Sequence, residues 1–183
     1  MNEKIEQYVR NHGRDFMEWL CDIISIPSPT GHEQAKGEWI LNLLHQWGAA
    51  GAYRDAAGNV VYPCHVKSGE KVALYTAHID TVFQDLQEIH IRQTGHILSA
   101  PSCSDNSASI AGLLFIIKMF HDLQLTPPQG LLFAFDVGEE GLGNLKGMRQ
   151  VMADWHGRIA EVVAVDCTFD TFVTTAVGSR RYA

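Results

Sequence analysis

Six side chains have the types and the placement to do chemistry together: His78, Asp80, Asp105, Glu139, Glu140 and Asp166. Three apolar runs, each a candidate for a buried strand, lead into five of them. KVALYTA runs into His78 and Asp80, GLLFAFD into Glu139 and Glu140, and EVVAVD ends on Asp166. Asp105 opens a further apolar stretch of helical period. From His78 to Asp105 to Glu140 to Asp166 the steps are between 26 and 35 residues, each about one strand-plus-helix unit. In open α/β sheets ligands bind beyond the carboxyl ends of the strands, so consecutive units would each deliver one group to a single edge. Carboxylates gathered there would repel one another and raise their own pKa values unless a cation neutralised them. A divalent metal ion is therefore expected. Imidazole with carboxylates and no thiolate suits zinc, manganese or cobalt better than copper or a cluster. Asp80, two residues past His78 and on the same side of an extended chain, is placed to fix the imidazole tautomer.

Taken singly, each group has a plain structural reading. Asp105 could be a helix N-cap, Asp166 a turn former, His78 a hydrogen-bonded imidazole, and Glu139 with Glu140 a solvated acidic loop. None of these readings predicts the coincidence of all the groups at one edge. Cys103 and Cys167 read as small apolar fillers. His32, His45, His65, His90, His96, His121 and His156 have no strand-end context, and no role is assigned to them.

The elements that would position these groups follow from periodicity. Phe16, Leu20, Ile23 and Ile24 recur at helical spacing until SIPSPTG stops them. A second helix is expected to start at a reciprocal capping box, Thr30 with Glu33, and to present Ile40, Leu44 and Trp47 on one face before Gly48 and Gly51. A short hairpin around AAGN precedes KVALYTA, which is apolar enough for a strand buried on both faces. EIHIRQ and HILSA suggest a peripheral hairpin. Asp105 to about His121 reads as a buried helix, TPPQG breaks the chain, and GLLFAFD is the next strand. Leu145 to Trp155 reads as a helix, with EVVAVD and TFVTTAV as two final strands. This alternation predicts an α/β fold, a three-layer α/β/α sandwich around a central, largely parallel mixed sheet.

Composition narrows the function further. With 183 residues, 46% of them hydrophobic, the chain reads as one globular domain whose core needs no staple. Its net charge of −7, without a basic run, argues against nucleic acid and anionic membranes as partners. No apolar stretch approaches the ~20 residues of a bilayer span. Cys21, Cys64, Cys103 and Cys167 are scattered with no C-x-x-C pair, which fits a reducing, cytoplasmic setting.

AHIDTV around His78, CSDNSASIAGLL around Asp105, GEEGLGNLKGMR around Glu140 and VAVD ending at Asp166 resemble, in order and spacing, the di-zinc metallopeptidase family of peptidase T, aminoacylase and succinyl-diaminopimelate desuccinylase. SIPSPTGHE is similar to that family's opening, so the resemblance spans essentially the whole chain. It implies that Asp105 bridges two zinc ions, that His78 and Asp166 bind one of them and Glu140 the other, that Glu139 is the general base, and that Asp80 stands behind His78. The implied activity is hydrolysis of an amide bond in a small peptide or N-acyl amino acid. Family members continue into a lid domain that also dimerises, and return with a final metal-binding His. By that resemblance residues 1–183 would be an incomplete catalytic domain, with GSRRYA at the entrance to the lid. Such a chain is expected to fold, to bind at most one divalent ion well and to have little activity alone. Asn106 and Ser107 depart from the Asp and Lys that many members carry after the bridging aspartate.

Two other readings compete. A fragment or descendant of the same fold could act through binding alone. Gly138, Gly141, Gly143 and Gly147 followed by a helix, a strand and Asp166 could also form a nucleotide-binding βαβ unit. Glu139 and Glu140 oppose the latter, because they put two negative charges where a pyrophosphate would lie.

Overall fold

A computed structural model describes residues 2–84, 88–167 and 171–175. The elements run α1 (Asn2–Ser25), α2 (Gln34–Gln46), β1 (Tyr53–Arg54), β2 (Val60–Cys64), β3 (Val72–His78), β4 (Arg92–Thr94), β5 (Ile97–Ser99), a wide turn Cys103–Ala108, α3 (Ser109–Asp122), β6 (Gly130–Asp136), α4 (Lys146–Asp154) and β7 (Ile159–Ala164). Five strands form the main sheet in the order β1-β2-β6-β3-β7, and β4 pairs with β5 in a separate hairpin. β3 lies parallel to both β6 and β7, whereas β1–β2 and β2–β6 are antiparallel. The sheet is thus mixed, with its parallel part confined to β6-β3-β7.

The parallel part exists because helices carry the chain back each time, α3 between β3 and β6 and α4 between β6 and β7. Every residue of β6 is buried, as expected of a central strand covered on both sides. The two-residue period divides its side chains: Leu131, Phe133 and Phe135 face a core completed by Ile23, Ile24, Ile40, Leu44, Leu113 and Ile117, while Leu132 and Ala134 face Val151 and Trp155. Helices α1, α2 and α3 therefore cover one face and α4 the other, giving the three layers.

Four expectations need correction. The Thr30–Glu33 capping box does not form, because the Thr30 hydroxyl donates to Asp80 Oδ2 (2.9 Å) and Glu33, the cap residue of α2, makes no capping bond. Glu33 Oε1 instead accepts the Gly31 N–H (2.8 Å). The helix expected from Asp105 begins at Ser109, after a turn in which Asp105 and Asn106 are not helical. EVVAVD is not a buried strand, since β7 pairs only with β3 among the described residues and leaves Val162 and Val163 exposed. Of TFVTTAV, residues 171–175 carry no regular structure, and the rest lies outside the described residues, as does GSRRYA.

On the buried stripe of α2 one position is charged. Lys36 occupies the same stripe of α2 as Ile40 and Leu44 and is almost wholly buried with them. Burial drives its pKa down from 10.5 to about 8, with the Asp80 carboxylate opposing the fall. Between pH 8 and 10.5 the unfolded chain binds the extra proton, so stability rises with pH across that window. Below it the cost is present in full, at most about 3 kcal/mol. Lys36→Met is expected to stabilise the fold at pH 7 and to flatten this rise, as read by urea unfolding at pH 7 and at about pH 10. A less stable variant at pH 7 would show that the amine compensates Asp80 more than it costs.

Candidate metal centre

The carboxyl edge of the sheet gathers the candidate groups. His78 is the last residue of β3, Glu139 and Glu140 follow β6 by three and four residues, and Asp166 follows β7 by two. Asp105 arrives from the Cys103–Ala108 turn, with φ −109° and ψ 94° and a cis peptide to Asn106. It does not cap α3. Its Oδ1 lies 3.0 Å from His78 Nε2, and Asp166 Oδ1 lies 3.8 Å from the same nitrogen. Asn106, buried beside it, donates from Nδ2 to the Val165 carbonyl (3.0 Å), which ties this turn to the segment bearing Asp166.

Potential ligand atoms form two groups that share His78. In each of the sets His78, Asp105, Asp166 and His78, Glu139, Glu140, one such atom per residue lies within 4.8 Å of the others. No cysteine enters either group among the described residues. Ligand atoms at about 2.0 Å from a tetrahedral ion stand about 3.3 Å apart, and the 3.0 and 3.8 Å separations bracket that spacing. The imidazole also has the right tautomer available. Nδ1 faces the Asp80 main-chain carbonyl at 3.0 Å, which can only accept, so Nδ1 carries the proton and neutral His78 offers the Nε2 lone pair outward. This donor set fits a divalent ion.

The charges point the same way. Burial opposes charge on His78, yet the Asp80, Asp166 and Glu139 carboxylates outweigh it and push its pKa up to about 9. Glu139 is raised by burial and, against the pull of His78, by Asp166, Asp80 and Asp105. Glu140 is raised by burial and by Asp105. The site is short of positive charge, which the imidazolium supplies in the ion-free protein. An incoming ion must displace that proton, so affinity for zinc is expected to climb about tenfold per pH unit from pH 6 towards 9 and then level off. Calorimetric titration in two buffers of different ionisation enthalpy would count the proton released. An affinity independent of pH would place the ion away from His78.

Asp80 acts differently from the sequence expectation. Its carboxylate stands 3.6 Å from His78 Nδ1, and the closer contact to the ring comes from its main-chain oxygen. Oδ1 accepts the Glu139 N–H, and Oδ2 accepts the Glu140 N–H (3.0 Å each) together with the Thr30 hydroxyl. Burial alone would raise this fully buried carboxyl, but His78 and these donors hold it down at about 2. Thr30 is a site-supporting residue that sequence reasoning missed. Thr30 looked like half of a capping box.

Comparisons with known proteins show the family and the fold. Residues 74–178 match the family described as peptidase family M20/M25/M40. The chain is 32% identical over 134 residues to a putative [LysW]-lysine/[LysW]-ornithine hydrolase of Pyrococcus abyssi, covering 73% of this chain and 35% of that protein. In structure it is similar to human carnosine dipeptidase 1 (TM-score 0.72, 14% identity, 91% of this chain and 41% of that one). It is also similar to a tripeptidase from Staphylococcus aureus (TM-score 0.65, 20% identity, 85% and 43%). The chain thus spans well under half the length of these relatives. At such identities the structural likenesses establish the fold. No helix among the described residues is long and apolar enough to cross a membrane.

Proposed function

The chain belongs to peptidase family M20/M25/M40, and from that premise we propose that the whole protein hydrolyses the amide bond of a small peptide or N-acyl amino acid, using divalent ions held at this edge. The observation that carries the proposal is the convergence of His78, Asp105 and Asp166 with the Glu139–Glu140 pair around one imidazole. His78, Asp105, Asp166 and Glu140 would hold zinc, with manganese or cobalt as alternatives, and residues 1–183 would form part of a single catalytic domain. Bound there, the ion would polarise the scissile carbonyl and make water a better acid.

The remaining chemistry falls to the chain's own groups. Glu139 takes the water proton and returns it to the leaving nitrogen. Its raised pKa suits both halves of that transfer, because a more basic carboxylate accepts more readily at neutral pH. Asp80 keeps Glu139 in place through the main chain and keeps the His78 ring in register. The relatives are named as a dipeptidase, a tripeptidase and a putative [LysW]-lysine/[LysW]-ornithine hydrolase, and di- and tripeptides contain the amide bond this reading requires. The test is an assay of the full-length protein, supplied with zinc, manganese or cobalt, against di- and tripeptides and N-acyl amino acids. Turnover of at least one class, abolished by chelator, is expected. No turnover of any, together with a Glu139→Gln protein indistinguishable from wild type, would reject the enzyme reading.

A further inference from the structure

Glu139 and Glu140 sit on a loop, Val137 to Leu145, whose two roots are held by one side chain outside the metal centre. Asn59, the residue before β2, has no exposed surface. Its Oδ1 accepts the Val137 N–H at 2.9 Å, and its Nδ2 donates to the Gly147 carbonyl at 2.9 Å. The Gly147 N–H donates in turn to the Val137 carbonyl at 3.0 Å, closing the base of the loop. A Cβ on Gly147 would collide with Asn59 Oδ1 and the Val137 main chain, so the approach is as close as glycine permits.

The Asn59 amide is itself fixed. Its second Nδ2 proton goes to Asp55 Oδ2 (2.6 Å), while Asp55 Oδ1 accepts the N–H groups of Ala57, Gly58 and Asn59. Both amide protons and the oxygen are used, so a flipped amide would lose three bonds in a buried place. The Asp55 Oδ1 bonds stay within the hairpin turn, whereas the contact from Asn59 to Gly147 spans 88 residues and reaches the base of the loop. Asp80 then fixes the tip through the Glu139 and Glu140 N–H groups, leaving the neighbouring Leu142 in solvent.

We propose that Asn59, oriented by Asp55, is a positioning residue that aims the Glu139–Glu140 pair at His78. The inference rests on the reading of that pair under the proposed function, but its first readout does not need activity. Amide hydrogen exchange at Glu139 and Glu140 is compared with that of Leu74 and Thr76 in β3. In Asn59→Ala the loop amides should exchange about tenfold faster or more relative to β3. The kcat of the full-length protein should fall at least about tenfold, as misplacement of a reacting group by an ångström implies. Leu44→Ala, a buried truncation in α2, is the control for lost stability alone. Its loop and strand amides should quicken together, and its kcat should stay within about twofold.

A folded Asn59→Ala protein with wild-type relative exchange and wild-type kcat would overturn the proposal, as would a Leu44→Ala protein that loses as much of both. If Asn59→Ala does not fold, Asp55→Ala carries the test: relative exchange should rise by about threefold or more, and no change overturns the proposal. A wild-type protein inactive on every substrate would defeat the functional reading alone, because the exchange ratio would still decide the role of Asn59.

Discussion

Glu139→Gln is expected to lower turnover of the full-length protein by roughly 10²- to 10⁴-fold, the range in which a positioned general base contributes. Glutamine keeps the shape of the side chain and leaves the Glu139 N–H bond to Asp80 intact, so the loop should hold. What disappears is the ability to take a proton. Zinc affinity should change far less, because the His78, Asp105 and Asp166 group is untouched. The pH profile adds a second mark. Burial and the surrounding carboxylates raise the pKa of Glu139, so the acid limb of kcat against pH should lie above the ordinary glutamate range, and the variant should lose it. Equal losses of turnover and zinc affinity would instead make Glu139 a ligand.

Asp105→Ala should weaken binding of the first divalent ion by about 100-fold or more, since a catalytic zinc position relies on three protein ligands and this one would keep two. Folding should survive. The Asp105 side chain is half exposed, and its contact with His78 is an ion pair that the ion would replace. Asp166→Ala should weaken the same ion, which would separate this group from the Glu139–Glu140 side. Competition against a chromophoric chelator gives the affinities, and far-ultraviolet circular dichroism checks the fold. A dissociation constant within about threefold of wild type in both variants would remove the site as assigned.

The sequence made the central strands legible because burial on both faces leaves only one kind of pattern, an unbroken apolar run, in GLLFAFD and in most of KVALYTA. The same logic misread EVVAVD. Two adjacent valines look alike in a covered strand and at an edge, and only the pairing partners tell them apart. The chemistry-bearing groups were legible from their placement after strands. Their supports were not, because the bonds by which Thr30 and Asn59 reach the site side of the sheet go to partners 50 to 88 residues away. A local reading gives such residues the nearest local job, a cap or a turn. Asp105 shows the reverse error: it reads as the first residue of the helix that becomes α3, while the main chain is not helical at Asp105 and Asn106.

The ligand groups are brought together only by tertiary structure. His78 and Asp105 are 27 residues apart in sequence, and Asp166 and the Glu139–Glu140 pair come from other strand ends. The unfolded chain has no such cluster, so an ion that binds here binds the folded state alone and shifts the folding equilibrium by mass action. At a free concentration one hundred times its dissociation constant, it would add about 2.7 kcal/mol to the free energy of unfolding. On the ion-loaded protein a chelator would then act as a mild denaturant, lowering the melting temperature without a change of sequence.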